Sequence, residues 1–173
     1  MILNIRIDEK PRAMPRPRFT KSGIAYYPAE IKYHKKDVST IIKNAIHKQQ
    51  WKQPDKKTPL FVQMDFIHPR VKRLRTKERT YKTTKPDIDN IVKMYMDCCT
   101  TAQVWNDDNQ VCKLIVNDYY AAIDEKEHVI IIVEELDHAK KKTRTDTQQK
   151  KTVDNACEEL SSVSCSFMGS SLP

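Results

Sequence analysis

The sequence predicts an α+β domain followed by a tail, and three observations carry that reading. Short stretches of period-two or continuous apolar character alternate with two stretches of helical spacing. Their order is strand, helix, strand, helix, then a terminal strand pair. Glycine occurs only at Gly23 and Gly169. A phosphate loop or dinucleotide turn needs glycines for close backbone approach, so both are excluded. Beyond Asp137 the chain runs through Lys140, Lys141 and Lys142 into a stretch rich in Thr, Gln and Ser. Too little apolar surface remains there to form a core. The expected organisation is therefore a domain over residues 1–137 and a polar, disordered tail over residues 138–173. No internal repeat is visible.

Each element follows from its own pattern. Ile2 to Ile7 alternates apolar and polar residues, as a half-buried strand does. Residues 10–28 hold Pro11, Pro15, Pro17 and Pro28, which fix the backbone and remove donors, so this segment reads as a loop or extended arm. From Ala29 to Trp51, Ile31, Val38, Ile41, Ile42, Ala45 and Ile46 recur largely at spacings of three and four, predicting a helix. Pro54 and Pro59 end it, and Leu60 to Ile67 reads as a strand. A second helix is expected from near Asp89 to Cys99, burying Ile88, Ile91, Val92, Tyr95 and Met96. Val111 to Tyr120 and His128 to Glu135 read as strands, joined as a hairpin through Asp124 to Glu127.

Composition narrows the partner. Lys plus Arg total 31 against 23 Asp plus Glu, a formal net charge of +8. That balance favours nucleic acid or an anionic surface. The longest strongly apolar run, Val129 to Val133, is far too short to span a membrane. Met1 to Arg6 lacks the apolar stretch of a signal peptide, so the expected address is cytoplasmic. Five cysteines without regular spacing predict buried, reduced thiols rather than a disulfide framework or a zinc ribbon.

Two acidic clusters stand out against this basic background. The first is Lys85-Pro86-Asp87-Ile88-Asp89-Asn90, followed by Lys93; the second is Trp105-Asn106-Asp107-Asp108-Asn109-Gln110. Carboxylates disfavour a phosphate-binding surface unless a divalent cation lies between them, and Mg²⁺ bridges carboxylates to phosphates. The combination reads as a metal-dependent enzyme acting on nucleic acid. If Asp87 to Asp89 stay extended, their side chains share a face. Asp89 and Lys93 then lie one helical turn apart, with Asp97 a further turn along. Asp107 or Asp108 supplies a third carboxylate. Such a set around Mg²⁺ suits phosphodiester hydrolysis.

Other roles exist for the same residues. Asp89 could cap the helix, Asp87 could favour its positive end, and Lys93 could be an ordinary i, i+4 partner of Asp89. An EF-hand fails, because Val92 and Cys98 stand where Gly and Glu are required. The basic residues divide into two groups. Arg16, Arg18 and Lys21 sit on the arm beside Phe19, Tyr26 and Tyr27, where they could grip phosphates while the rings stack on bases. Arg70, Lys72, Arg73, Arg75, Lys77, Arg79 and Lys85 lead into the first acidic cluster. Two rival functions use parts of this set: a branched-DNA binding module that does not cut, and a phosphohydrolase sharing the Asp-x-Asp pair.

The ordered set is more specific than its parts. KPDIDNIVK, then VWNDDNQV, with RPRF upstream, resembles the RusA family of Holliday-junction resolvases over roughly residues 1 to 136. The resemblance implies a small mixed sheet with packed helices in a homodimer. It implies a Mg²⁺-dependent endodeoxyribonuclease that resolves four-way junctions by paired symmetric nicks, in DNA recombination and repair. Matched motif to motif, the catalytic residues are Asp87, Asp89, Asp108 and Lys93, with Asp107 as an adjacent metal ligand. The basic run before Lys85 is longer than the family pattern, and the tail after Asp137 has no counterpart in it.

Overall fold

The computed structural model describes residues 1–137; the expectations for the tail, including Cys157 and Cys165, lie outside the described residues. Among these, β1 (Ile2–Ile7), β4 (Leu60–His68), β5 (Thr80–Tyr81), β6 (Val111–Tyr120) and β7 (His128–Glu135) form one sheet. Its order is β1-β7-β4-β6-β5. The β4–β6 pair is parallel and the rest are antiparallel, so the sheet is mixed. Helices α1 (Ala29–Lys48) and α2 (Ile88–Ala102) complete the α+β architecture. No described helix is long and apolar enough to cross a membrane.

The core lies between one face of the sheet and the two helices. In β1 the alternation sends Leu3, Ile5 and Ile7 inward and leaves Ile2, Asn4 and Arg6 exposed. Val62, Met64 and Phe66 of β4 and Val129, Ile131 and Val133 of β7 share that core with Val38 and Ile42 of α1 and Ile91, Met94 and Tyr95 of α2. Fully burying each such side chain contributes about 1.5–3 kcal/mol. Trp51 follows α1 and is buried, its indole N–H donating to the Val104 carbonyl at 3.0 Å. That bond ties the end of α1 to the end of α2.

The expected terminal hairpin is absent. β6 and β7 do not pair with each other, because β4 lies between them. β4 is the apolar strand that can be flanked on both edges, with Leu60, Val62, Met64, Phe66 and Ile67 all buried. Helix α2 acts as the crossover that brings β6 back parallel to β4. Residues 121–127 then step over the end of β4 to start β7 on its far side. That crosses roughly 10 Å, within reach of seven residues.

Boundaries also move. Helix α1 stops at Lys48, not Trp51, and α2 runs from Ile88 to Ala102, ending on Gln103 at φ 66°. The buried stripe of α2 is Ile91, Met94, Tyr95, Cys98, Cys99 and Ala102. Ile88 is 41% exposed, and Val92 and Met96 are only half-buried. The arm contains a two-stranded ribbon, β2 (Arg18–Phe19) and β3 (Ala25–Tyr26), turned at Gly23 with φ 81°. Cys98 and Cys99 are buried and free, whereas Cys112 is free and exposed, against the expectation of burial. Burial raises the Cys98 thiol pKa to about 11.

Candidate active site

Helix α2 positions the first acidic cluster. Asp87 is its N-cap residue, extended at φ −71° and ψ 143°, and its carboxylate makes no capping hydrogen bond. The expected alternative of Asp89 as the cap does not hold, because Asp89 lies inside the first turn. Both carboxylates are exposed. Lys93 is exposed and forms no ion pair within the described residues, so it is not a plain partner of Asp89.

A 3₁₀ turn, Asp108–Gln110, positions the second cluster directly before β6. Buried Gln110 organises it. Its side-chain oxygen accepts from the Asn106 N–H at 2.8 Å, and its amide donates to the Asp55 carbonyl at 2.8 Å and that of Thr58 at 3.2 Å. Asn106 donates to the Pro54 carbonyl at 2.7 Å. Asn106 and Gln110 are thus structural, and they leave Asp107 and Asp108 exposed at the turn.

The two clusters meet at a cleft of about 450 Å³. Asp89, Lys93 and Asp97 line it from successive turns of α2, and Asp108 lines it from the 3₁₀ turn. Ile88, Val92, Met96, Leu114 and Val116 supply its apolar part. That explains why the Ile88-Val92-Met96 row of α2 is not fully buried. Asp87 and Asp107 do not line this cleft. Asp97 does, although the sequence pattern places it without assigning it a role. Its spacing of four from Lys93 is the available signal. Its pairing with Lys35 Nζ at 2.7 Å, from α1, is not visible in the sequence.

Like charges crowd at the second cluster. The Asp108 pKa is raised, first by a hydrogen bond with the Asp107 carboxyl, then by slight burial and by the charges of Asp107 and Asp97. A dication relieves such crowding, and carboxylate oxygens are the donors Mg²⁺ prefers. The donor set therefore fits a hard divalent cation in chemical type. Among the described residues, no three His, Cys, Asp or Glu side chains already stand close enough together to hold one.

The candidate DNA-contacting residues fall into two classes. Arg16, Arg18, Lys21, Lys72, Arg73, Arg75, Lys77 and Lys85 are exposed. Arg70 instead donates to the carbonyls of Ala121 at 3.3 Å, Leu74 at 3.0 Å and Thr76. Arg79 is held by Glu125, its Nε 2.9 Å from Oε2. The arm is fastened to α2: the Met14 N–H donates to the Asn90 carbonyl at 2.9 Å and the Arg12 N–H to the Tyr95 hydroxyl at 3.3 Å.

No curated protein matches the chain. Residues 8–134 of the 173 match the family described as Endodeoxyribonuclease RusA. That span contains the arm, the cleft and both acidic clusters. The chain belongs to the RusA family, whose membership implies Holliday-junction resolvase nuclease activity.

Proposed function

We propose that this chain is a Mg²⁺-dependent endodeoxyribonuclease that resolves four-way DNA junctions by paired symmetric nicks, as a homodimer. The convergence of Asp89, Lys93 and Asp108 on one cleft carries the reading. Asp87, Asp89 and Asp108 would hold the metal, with Asp107 adjacent. When bound, Mg²⁺ supplies activation of water and stabilisation of charge on the phosphate.

The chain's own residues do the rest. Lys93, free of any described ion pair, places positive charge where the scissile phosphate enters the cleft. The apolar side chains beside it lower local polarity and strengthen that charge's effect. Lys35 neutralises Asp97, so the cleft wall carries less charge repelling the DNA than its carboxylate count suggests. The exposed cations of the arm and of the 72–85 segment bind backbone phosphates. Phe19, 67% exposed, and Tyr26, 45% exposed, offer ring faces to bases beside them. A two-fold dimer presents the same cleft twice, which paired nicks on opposing strands require.

The test is cleavage of a labelled four-way junction against a matched linear duplex, with Mg²⁺ or with EDTA. Junction nicking with Mg²⁺ alone is expected. Asp87→Asn, Asp89→Asn and Asp108→Asn should each abolish nicking while gel-shift affinity persists. Wild-type nicking by any one variant removes that residue from the site.

A further inference from the structure

One buried lysine lies outside the cleft and takes no part in the proposed chemistry. The Lys82 side chain is 3% exposed. Its amino group donates to the Thr84 carbonyl at 2.7 Å, the Pro86 carbonyl at 3.0 Å and Asp118 Oδ2 at 3.0 Å. An ammonium has three protons, and here each has its own acceptor. Two acceptors are main-chain carbonyls of the segment between β5 and α2. The third is on β6, the strand that starts directly after the Asp108 turn.

The surroundings support the same anchoring. Asp118 is itself buried, and its other oxygen lies 2.8 Å from His68 Nε2 on β4. That approach is off the line of a hydrogen bond, and neither atom has another partner among the described residues, so it is a contact of polar groups in a closed space. The Lys82 N–H donates to the Asp118 carbonyl at 2.9 Å, and Thr84 Oγ1 shares a hydrogen bond with the Tyr120 hydroxyl at 2.7 Å. Lys82 and Thr84 are thus bonded directly to β6. Pro86 is tied to it through the lysine, and its held carbonyl adjoins Asp87.

We propose that Lys82 is a positioning residue that sets Asp87 and Asp89 relative to the β6 side of the cleft. The inference rests on the proposed reaction for its kinetic consequence, but not for its structural one. Lys82 does not line the cleft. It acts by closing residues 82–86 into one geometry and tying them to the strand that follows Asp108. A buried amino group suits this task, because few other side chains can satisfy two carbonyls and a carboxylate at once. The arrangement also accounts for Asp118, whose carboxylate would be costly in a buried position without a cation.

The experiment compares wild type, Lys82→Met and Lys82→Met/Asp118→Leu. The double variant removes the buried carboxylate that the single one leaves unpaired. Four quantities are measured on each: thermal stability, amide hydrogen exchange over residues 83–91, junction affinity in EDTA, and the single-turnover cleavage rate with Mg²⁺. Both variants should exchange faster over 83–91, bind the junction within about twofold of wild type, and cleave much more slowly. Misplacement of catalytic groups by about 1 Å can cost ~10²-fold in rate. The double variant should recover thermal stability but not rate. Recovery of rate together with stability would show that Lys82 only supports the fold, and would overturn the proposal. So would unchanged exchange over 83–91, or a loss of affinity matching the loss of rate. If wild type cleaves no junction, the proposed reaction falls, while the exchange measurement still decides whether Lys82 holds the segment.

Discussion

Residues 10–28 and residues 68–85 carry similar charge and are put to different uses. The first segment holds Lys10, Arg12, Arg16, Arg18 and Lys21 and no Asp or Glu; the second holds eight Lys or Arg and one acid, Glu78. On the arm, all five cations are exposed and none is in a described ion pair. In the second segment Arg70, Arg79 and Lys82 are held by other parts of the chain. Arg70 closes its own loop onto three carbonyls, Arg79 reaches Glu125, and Lys82 reaches β6. The lesson concerns geometry. The arm cations, exposed and without an ion pair among the described residues, stay in solvent and available to phosphates. On the long connection Arg70 and Lys82 fold back onto main-chain carbonyls and satisfy them, whereas Lys72, Arg73, Arg75, Lys77 and Lys85 stay exposed.

If that division is right, removing arm charge should change DNA binding and leave the fold alone. Each phosphate neutralised contributes about −0.9 to the slope of log affinity against log salt. Arg16→Ala/Arg18→Ala/Lys21→Ala should therefore make that slope shallower by up to about 2.7. The loss of affinity should be greatest at low salt. Thermal unfolding should match wild type. A salt titration of junction binding with an unchanged slope would remove the arm from the DNA interface and break the comparison at its first half.

Arg70→Ala tests the other half. It leaves the Ala121, Leu74 and Thr76 carbonyls without their charged donor. Hydrogen bonds to charged groups are worth about 1.5–3 kcal/mol, less where solvent can replace the donor. The expected result is a stability loss of about 1–3 kcal/mol and a Tm lower by several degrees, read by chemical and thermal unfolding. The salt slope should stay within one phosphate contact of wild type. A shallower slope with unchanged Tm would place Arg70 on the DNA after all, and the two segments would then be alike.

Why this division is hidden in the sequence explains what a sequence can and cannot disclose. β1, β4, β6, β7 and both helices are legible because their patterns are local: Leu3, Ile5 and Ile7 announce one buried face without reference to any other strand. Sheet order is not legible. Nothing within Val111–Tyr120 or His128–Glu135 says that β4 will separate them, because pairing partners are chosen by the whole sheet. The site behaves the same way. Asp89, Lys93 and Asp97 share a helix face by simple spacing. The entry of Asp108 into the same cleft needs the β4-α2-β6 crossover. The Lys35–Asp97 pair joins residues 62 apart in sequence. Lys82 looks like one more solvated cation, since burial of a lysine depends on acceptors supplied by distant backbone. The apolar row Ile88-Val92-Met96 reads as core for a related reason: a hydrophobic stripe does not reveal whether it faces a sheet or a cleft.

The smallest effect belongs to Arg79 and Glu125. The hydrogen-bonded Arg79 guanidinium is the main cause holding the Glu125 pKa below its ordinary value of 4.5, with burial opposing and the Ala122 N–H assisting. A carboxylate whose folded pKa is depressed stabilises the fold above its unfolded pKa, and that stability is lost as pH falls through the folded value. Arg79 is 40% and Glu125 19% exposed, so solvent screens the pair and its worth is about 0–1 kcal/mol. Glu125→Gln should therefore be slightly less stable than wild type at neutral pH. The gap should close as pH drops below about 4.5, when the wild-type carboxylate takes up its proton. Urea unfolding of both proteins from neutral pH down to well below that value measures this. A gap that persists unchanged into acid would mean that the Glu125 charge, and with it the pairing to Arg79, is not what separates the two proteins. Arg79 would then be freer for phosphate than its pairing indicates.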